Sequence, residues 1–394
     1  MKKNSTRQKT AEQGSTEACK KASMKKLRQR AAAERLTIGL DLGDRHTHYC
    51  VLDAQGEVVV EDKLPTSKAG RDGLLAELAR CRVAMEVGTH SGWVSRHIGK
   101  PGHEAIVANA RRIAWITQSR RKNDRIDARK LAQLARVDLA LLAPIRHRSE
   151  QAQQELAVVG ARAALVEART GLINAARGQA KTLGERLAQC DADQVGAEMA
   201  EGLPAEVRTV VEGLWRMVAK LTVEIRDYER AIHGIAAGYP ELELMTAIWG
   251  VGELTALTFL LTIEDRQRFK KSREVGPFLG LVPGQNQSGQ RDVTLPITKE
   301  GDRLVRTLLV QCAHCILRPG APDSDIRRWA RAKLEQCPRE AEKKGQKKNA
   351  GKKRVLVAVA RRLAVWMHHL WASGEVYDPL YQAKAEARGR KVAA

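Results

Sequence analysis

The sequence predicts a mixed α/β domain followed by a longer, mainly helical region. Five short apolar runs between residues 36 and 108 have strand length and alternate with turn and helix signals. Beyond residue 147 the apolar residues recur at spacings of three and four instead, the period of amphipathic helices. The chain has 394 residues and 43% hydrophobic content, enough for more than one core. Its longest strongly apolar stretch, Leu254–Ile263, is about half a membrane span, which predicts no membrane association.

The elements follow in order. Leu36–Leu42 (LTIGLDL) and Thr47–Asp53 (THYCVLD) read as strands, and Ala54-Gln55-Gly56 turns the chain into a third, Glu57–Asp62. Lys68–Arg80 has helical spacing at Leu74, Leu75 and Leu78. Cys81–Val87 is a fourth strand, Ser91–Gly99 a short helix and Glu104–Ala108 a fifth strand. Helices at 110–120 and 125–136 close the unit. The order, three meandering strands and then strand–helix alternation, is that of a ribonuclease-H-like domain, in which strands one and four are neighbours.

Residues 147–235 predict two long amphipathic helices, broken at Gly202-Leu203-Pro204, that pair antiparallel or support a dimer. Next, Trp249-Gly250-Val251-Gly252 between two apolar helical segments has a helix-hairpin-helix pattern; its glycines let backbone N–H groups approach a phosphate, although such a turn is often only a turn. Val275–Pro283 leads into a polar loop, Gly284–Arg291, and then into a helix over 302–317. Residues 319–353 are rich in Pro, Gly and Lys and predict a mobile linker before a last helix at 355–372. The predicted domains are therefore a basic flexible arm (1–35), the α/β domain (36–146), the long helices (147–237), a C-terminal helical domain (238–318), and a basic linker with a terminal helix (319–394).

Net charge is +22, and it is concentrated. Residues 1–35 carry +8, 111–130 carry +6 and 327–354 carry +9, so the rest of the chain is nearly neutral. Localised positive patches favour phosphate contacts with a polyanion. Aromatics are only 4%, which argues against folds that stack rows of bases. Seven cysteines without an apolar leader before them predict reduced thiols in a cytoplasmic protein. Cys312-Ala-His-Cys315 has metal-like spacing but no second pair, and its apolar helical setting predicts core.

Four carboxylates carry the candidate chemistry. Asp41 sits mid-strand in Ile38-Gly-Leu-Asp41, where a charge is costly unless it faces a polar site or a cation. Glu86 holds the corresponding place on the fourth strand, and Asp124 and Asp127 share one face of a helical turn. Converging, they would repel unless a cation balanced them, and two Mg²⁺ ions match four negative charges. The plainer reading leaves Asp124 and Asp127 as helix-capping acids paired with Arg125 and Arg129. Ser288, in the loop with Arg291, is on composition usually a turn residue.

Taken together, IGLDLGDRHTHYCVLD, AMEVGTH and KNDRIDARKLAQLAR, followed by AIWGVGELTALTFLLTIEDRQRF, FLGLVPGQNQSGQR and ITKEGDRLVRTLLVQCAH, resemble the DEDD transposases of the insertion-sequence-110 family over roughly residues 36–318. The resemblance implies a RuvC-like domain whose metal ligands match Asp41, Glu86, Asp124 and Asp127. It implies a C-terminal serine, matching Ser288, that attacks DNA. It further implies an element-encoded guide RNA, donor and target DNA as substrates, and a homo-oligomer, dimer or tetramer. In that scheme Arg111, Arg112, Arg120, Arg121, Lys122, Arg125, Gly250, Gly252, Arg291, Lys299 and Arg303 contact nucleic acid, and the protein is cytoplasmic and nucleoid-associated. A metal-dependent structure-selective nuclease that leaves Ser288 idle, and an inactive nucleic-acid-binding relative, are the alternatives.

Overall fold

The structure, a computed structural model, describes residues 25, 27, 29–31, 33–76, 78–109, 123–288, 291–343 and 350–385. The predicted helix at 110–120 lies outside them. The chain divides into two compact units, residues 1–148 and 149–394.

The first unit is built on a five-stranded mixed sheet of order β3-β2-β1-β4-β5, with β1 Thr37–Leu42, β2 His46–Leu52, β3 Val58–Pro65, β4 Arg82–Glu86 and β5 Glu104–Ala108. The first three strands meander antiparallel, and β4 and β5 join parallel to β1. Helices α1 (Lys68–Leu75) and α2 (Ser91–Gly99) provide the crossovers, and α3 (Asp124–Val137) follows β5.

Strand alternation sorts the side chains by face. Leu36 and, on β1, Ile38 and Leu40 join Val51, Val83 and Met85 in one core, against Leu74 and Leu75 of α1 and Val94 and Ile98 of α2. The intervening residues belong to the opposite face, where Ala84 packs on Leu131 and Ala135 of α3, and Cys50 and Leu52 pack on Ala128 and Ala132. Gly39 explains how α3 comes so close. A Cβ at residue 39 would sit 2.0 Å from the Ala128 carbonyl oxygen and 2.6 Å from the Ala132 nitrogen, so only glycine admits the helix backbone.

The expectation of a flexible arm through residue 35 is corrected at its end. Residues 25, 27, 29–31 and 33 are helical, and Leu27 and Ala31 are buried in the core with Leu36. Their spacing of four puts both on one helix face.

In the second unit, α4 (Glu150–Thr182) and α5 (Ala205–Ala236) run antiparallel. Arg162 meets Glu229, Arg169 meets Thr222 and the Tyr239 hydroxyl donates to Glu155, so one index rises as the other falls. Ile173, Ala176 and Ala180 pack against Val207, Val211, Trp215 and Val218. Short α6 (Leu242–Thr246) leads to α7 (Glu253–Ile263), in which every residue from Thr255 onward is buried. Around it lie α8 (Val275–Phe278), α9 (Arg303–Leu317), α10 (Asp325–Lys343) and α11 (Ala350–Ser373).

Two expectations fail here. Residues 325–343 form a helix, not a mobile linker, with Ile326, Ala330, Leu334 and Cys337 facing the core at helical spacing. The polar loop at 284–291 is instead part of a two-stranded hairpin, β6 (Pro283–Ser288) and β7 (Arg291–Ile297). No helix among the described residues is long and apolar enough to cross a membrane. Cys312 is buried, and its thiol donates to Thr255 Oγ1 at 3.6 Å, a core role.

Candidate active site

The four carboxylates come from three elements of the first unit. Leu40 pairs with Met85 in the parallel β1–β4 register, so Asp41 and Glu86 each lie one residue past that pair. By alternation both belong to the α3 face, with Gly39 and Ala84. Asp124 and Asp127 stand in the first turn of α3, where Asn123 caps the helix by accepting the Arg125 N–H at 3.1 Å. Acidic groups at that end also meet the positive end of the helix dipole.

The electrostatics tie the four together. Burial raises the Asp41 pKa to about 6, and the charges of Asp124, Asp127 and Glu86 push the same way, opposed only by His48. His48 lies opposite Asp41 in the β1–β2 register, and its Nδ1 is 3.5 Å from Asp124 Oδ2. Asp127 Oδ1 is buried with no hydrogen-bond partner among the described residues, and Lys130 Nζ lies 3.7 Å from it.

The pairing of Asp124 and Asp127 with Arg125 and Arg129 is not what forms. Both arginines reach across to Glu61 on β3. Arg125 Nε donates to Glu61 at 2.7 Å, and Arg129 donates twice, at 2.5 and 2.7 Å, holding the Glu61 carboxyl down at about 2. Arg125, expected at nucleic acid, is thus engaged by a carboxylate.

The end of β4 is held by a second contact set. Ser91 Oγ donates to the Gly88 carbonyl at 2.7 Å and accepts from the Gly88 N–H at 2.9 Å. His147 Nε2 lies 2.9 Å from the same hydroxyl, so with the serine proton already placed the histidine donates.

The donor set suits a hard divalent cation: all oxygen, four potential negative charges and one buried oxygen lacking a donor. Among the described residues no three His, Cys, Asp or Glu side chains are gathered closely enough to enclose an ion. The carboxylates thus form an electrostatic cluster, not a closed coordination shell.

The remaining sequence candidates divide. Arg111, Arg112, Arg120, Arg121 and Lys122 lie outside the described residues. In the second unit, Ser288 ends β6 opposite Arg291. Lys299 and Arg303 are exposed just beyond the hairpin. Gly250 has φ +88° in the turn before α7, and Gly252 is that helix's N-cap. Sequence reasoning missed His48, Glu61 and Gly39. His48 and Glu61 share the alternation that selects Asp41's face, and Gly39 lies two residues before it.

Comparison with known proteins defines the class first. Residues 38–183 match a family described as transposase, the DEDD domain of the IS110 type. Residues 242–325 match the family described as transposase, IS116/IS110/IS902 family. The transposase for insertion sequence element IS1111A of Coxiella burnetii (strain RSA 493 / Nine Mile phase I) is 28% identical over 318 residues, 79% of this chain and 86% of that one. A probable family 20 transposase of Pseudomonas aeruginosa is 28% identical over 309 residues, 76% of this chain and 90% of that one. The transposase for IS1328 of Yersinia enterocolitica is 26% identical over 292 residues, covering 71% and 84%. The chain belongs to the IS110/IS116/IS902 family of insertion-sequence transposases, whose work is DNA transposition.

Proposed function

We propose that the protein cuts and rejoins DNA by a serine transesterification assisted by Mg²⁺ ions held by Asp41, Glu86, Asp124 and Asp127 in a RuvC-like domain. The single observation that carries the carboxylate assignment is Asp41 raised to about 6 by burial and by the other three acids. Four carboxylates that raise one another's proton affinity, with an Asp127 oxygen that no donor among the described residues satisfies, suit an external cation. Bound there, Mg²⁺ would supply charge stabilisation to a phosphodiester in displacement.

The serine assignment rests on the family resemblance and on the place of Ser288 at the end of β6. Its hydroxyl attacks a backbone phosphorus; a serine–phosphate bond forms as one phosphorus–oxygen bond of the strand breaks, and the departing oxygen takes a proton. The ester retains the energy of the broken linkage, so a second strand's hydroxyl can reverse the step without ATP. A serine hydroxyl is a weak nucleophile, and Arg291, Lys299 and Arg303 supply positive charge for the phosphate on the same unit. Arg111, Arg112, Arg120, Arg121 and Lys122 are assigned to the DNA backbone near the carboxylates, and Gly250 and Gly252 to a phosphate at the helix turn. By the same resemblance an element-encoded RNA guides donor and target choice, the long helices join copies of the chain, and the protein works in the cytoplasm on the nucleoid.

Incubation with a nicked DNA substrate in Mg²⁺ tests this. The wild-type chain is expected to form a covalent DNA adduct that Ser288→Ala cannot form. Normal strand exchange by Ser288→Ala overturns the serine assignment. Cleavage by that variant without an adduct moves the reading to a water-using nuclease.

A further inference from the structure

The second unit presents an exposed indole beside a basic groove, and the residues that fix the two together are themselves unusual. Trp249, at the turn between α6 and α7, is 47% exposed, whereas Trp215 and Trp371 are buried. The turn lies directly on α9. Gly250 has φ +88°, and a Cβ there would stand 3.2 Å from Cys315 Cβ and 3.3 Å from the Cys312 carbonyl oxygen. Any larger residue would lift the turn, and Trp249 with it, from the helix.

The end of α9 is pinned from the other side. Arg327, 5% exposed, donates to the Ile316 carbonyl at 2.7 Å and the Arg318 carbonyl at 3.0 Å. The Arg318 guanidinium lies 5.8 Å from the Trp249 ring centroid. It also lines an open groove of about 540 Å³ together with the basic His314 and Lys352 and the apolar Leu317, Leu334 and Leu356. None of the eight residues lining the groove is acidic. An exposed ring shared with a guanidinium, opening onto apolar surface and three basic side chains, is complementary to one planar aromatic group carried on an anion.

We propose that this is a subsite for an unpaired nucleotide of a DNA strand, its base stacked on Trp249 and its flanking phosphates held by Arg318, Lys352 and His314. Stacking on an aromatic face with cations tracking the backbone is the general chemistry of single-strand binding. A paired base has its face covered by its neighbours, so the ring is of use only to a strand that has been opened. The proposal rests on the reading that the protein handles DNA, and adds where an opened strand is held. Trp249, Arg318 and Lys352 lie outside the carboxylate and serine assignments.

The test uses the full chain and fluorescence anisotropy with a labelled single-stranded DNA, the matching duplex, and a single-stranded RNA of the same sequence. Trp249→Ala is expected to weaken single-stranded DNA binding by roughly 5- to 150-fold while leaving duplex affinity unchanged. Trp249→Phe should restore most of the loss. Arg318→Ala and Lys352→Ala should each lower the salt slope for the single strand by about 0.7. Because Trp249 is half exposed, its variants should melt as the wild type does. Unchanged single-strand binding by Trp249→Ala, an equal loss on duplex, or a loss confined to RNA overturns the subsite. Absence of DNA binding by the wild-type chain overturns the underlying reading instead.

Discussion

Glu61 and Asp41 stand on the same face of one sheet and meet opposite surroundings. The Glu61 side chain is 2% exposed and is saturated by two guanidinium groups from α3, which hold it at about 2. Asp41, two strands away on β1, is also desolvated, but three carboxylates outweigh His48 beside it, and it rises to about 6. Both sites are served by the same helix. Arg125 and Arg129 alternate along it with Asp124 and Asp127, and each pair turns to a different side. The difference teaches how one helix completes a structural ion pair while leaving an acidic cluster for a partner from outside. Had the arginines turned to Asp124 and Asp127, two of the four acidic charges would have been neutralised internally, and the pull on a divalent cation would be roughly halved.

Breaking the acidic side should have the largest effect. Asp41→Asn is expected to lower divalent-dependent strand cleavage about 100-fold or more, read in a gel assay. In chelator the same variant should melt higher than the wild type, because a repelled charge has been removed. Next is the contact that brings α3 to the sheet. Gly39→Ala drives a methyl group into the Ala128 carbonyl, and should cost about 1–3 kcal/mol in urea unfolding, with weakened divalent binding by calorimetry. Smaller again is Glu61→Gln. It should cost about 1–2 kcal/mol, since both arginines remain partly hydrated. It should also weaken divalent binding by releasing Arg125 and Arg129 to compete at Asp124 and Asp127. If Asp41→Asn and Glu61→Gln shift the melting temperature in the same direction, the contrast between the two sites is wrong.

The smallest effect is the pH dependence, and its sign differs between the sites. Asp41 binds its proton more tightly when folded, so its contribution to stability is complete below about pH 4 and is lost as pH rises through about 6. Glu61 releases its proton more readily when folded; its contribution is present above pH 4.5 and is lost as pH falls towards about 2. In chelator, then, the wild type should gain stability from pH 7 to pH 5, and Asp41→Asn should gain less. Divalent affinity should fall over the same interval.

Much of this was legible in the sequence because it is local. The five strands, the crossover helices and the long pair at 150–236 follow from periodicity, and Asp41 is conspicuous because an apolar strand has no local use for a charge. The Glu61 ion pairs were not legible: Arg125 and Arg129 lie 64 and 68 residues along the chain, and sequence proximity favoured Asp124 and Asp127 instead. Helix 325–343 was hidden by the Pro-Gly-Ala-Pro segment ahead of it and by its many basic residues, although Ile326, Ala330, Leu334 and Cys337 carry its period. The hairpin at 283–297 was missed because β6, PGQNQS, has no apolar alternation to announce a strand. Leu27 and Ala31 are two apolar positions in a basic stretch, too few to mark a core-facing helix.

The hairpin has one more consequence. Its base is clasped: a Cβ on Gly280 would lie 2.2 Å from the Glu300 carbonyl oxygen, and Arg306 donates to the carbonyls of Leu279, Glu300 and Gly301. Beyond that clasp the two strands pair with each other as a separate ribbon. Ser288 is the last residue of β6, so its distance from that clasp is set by a strand about 17–20 Å long. Its location is governed by strand length and parity: removing one residue from β6 inverts the facing of everything beyond, whereas removing a residue from each strand shortens the reach by about 3.4 Å.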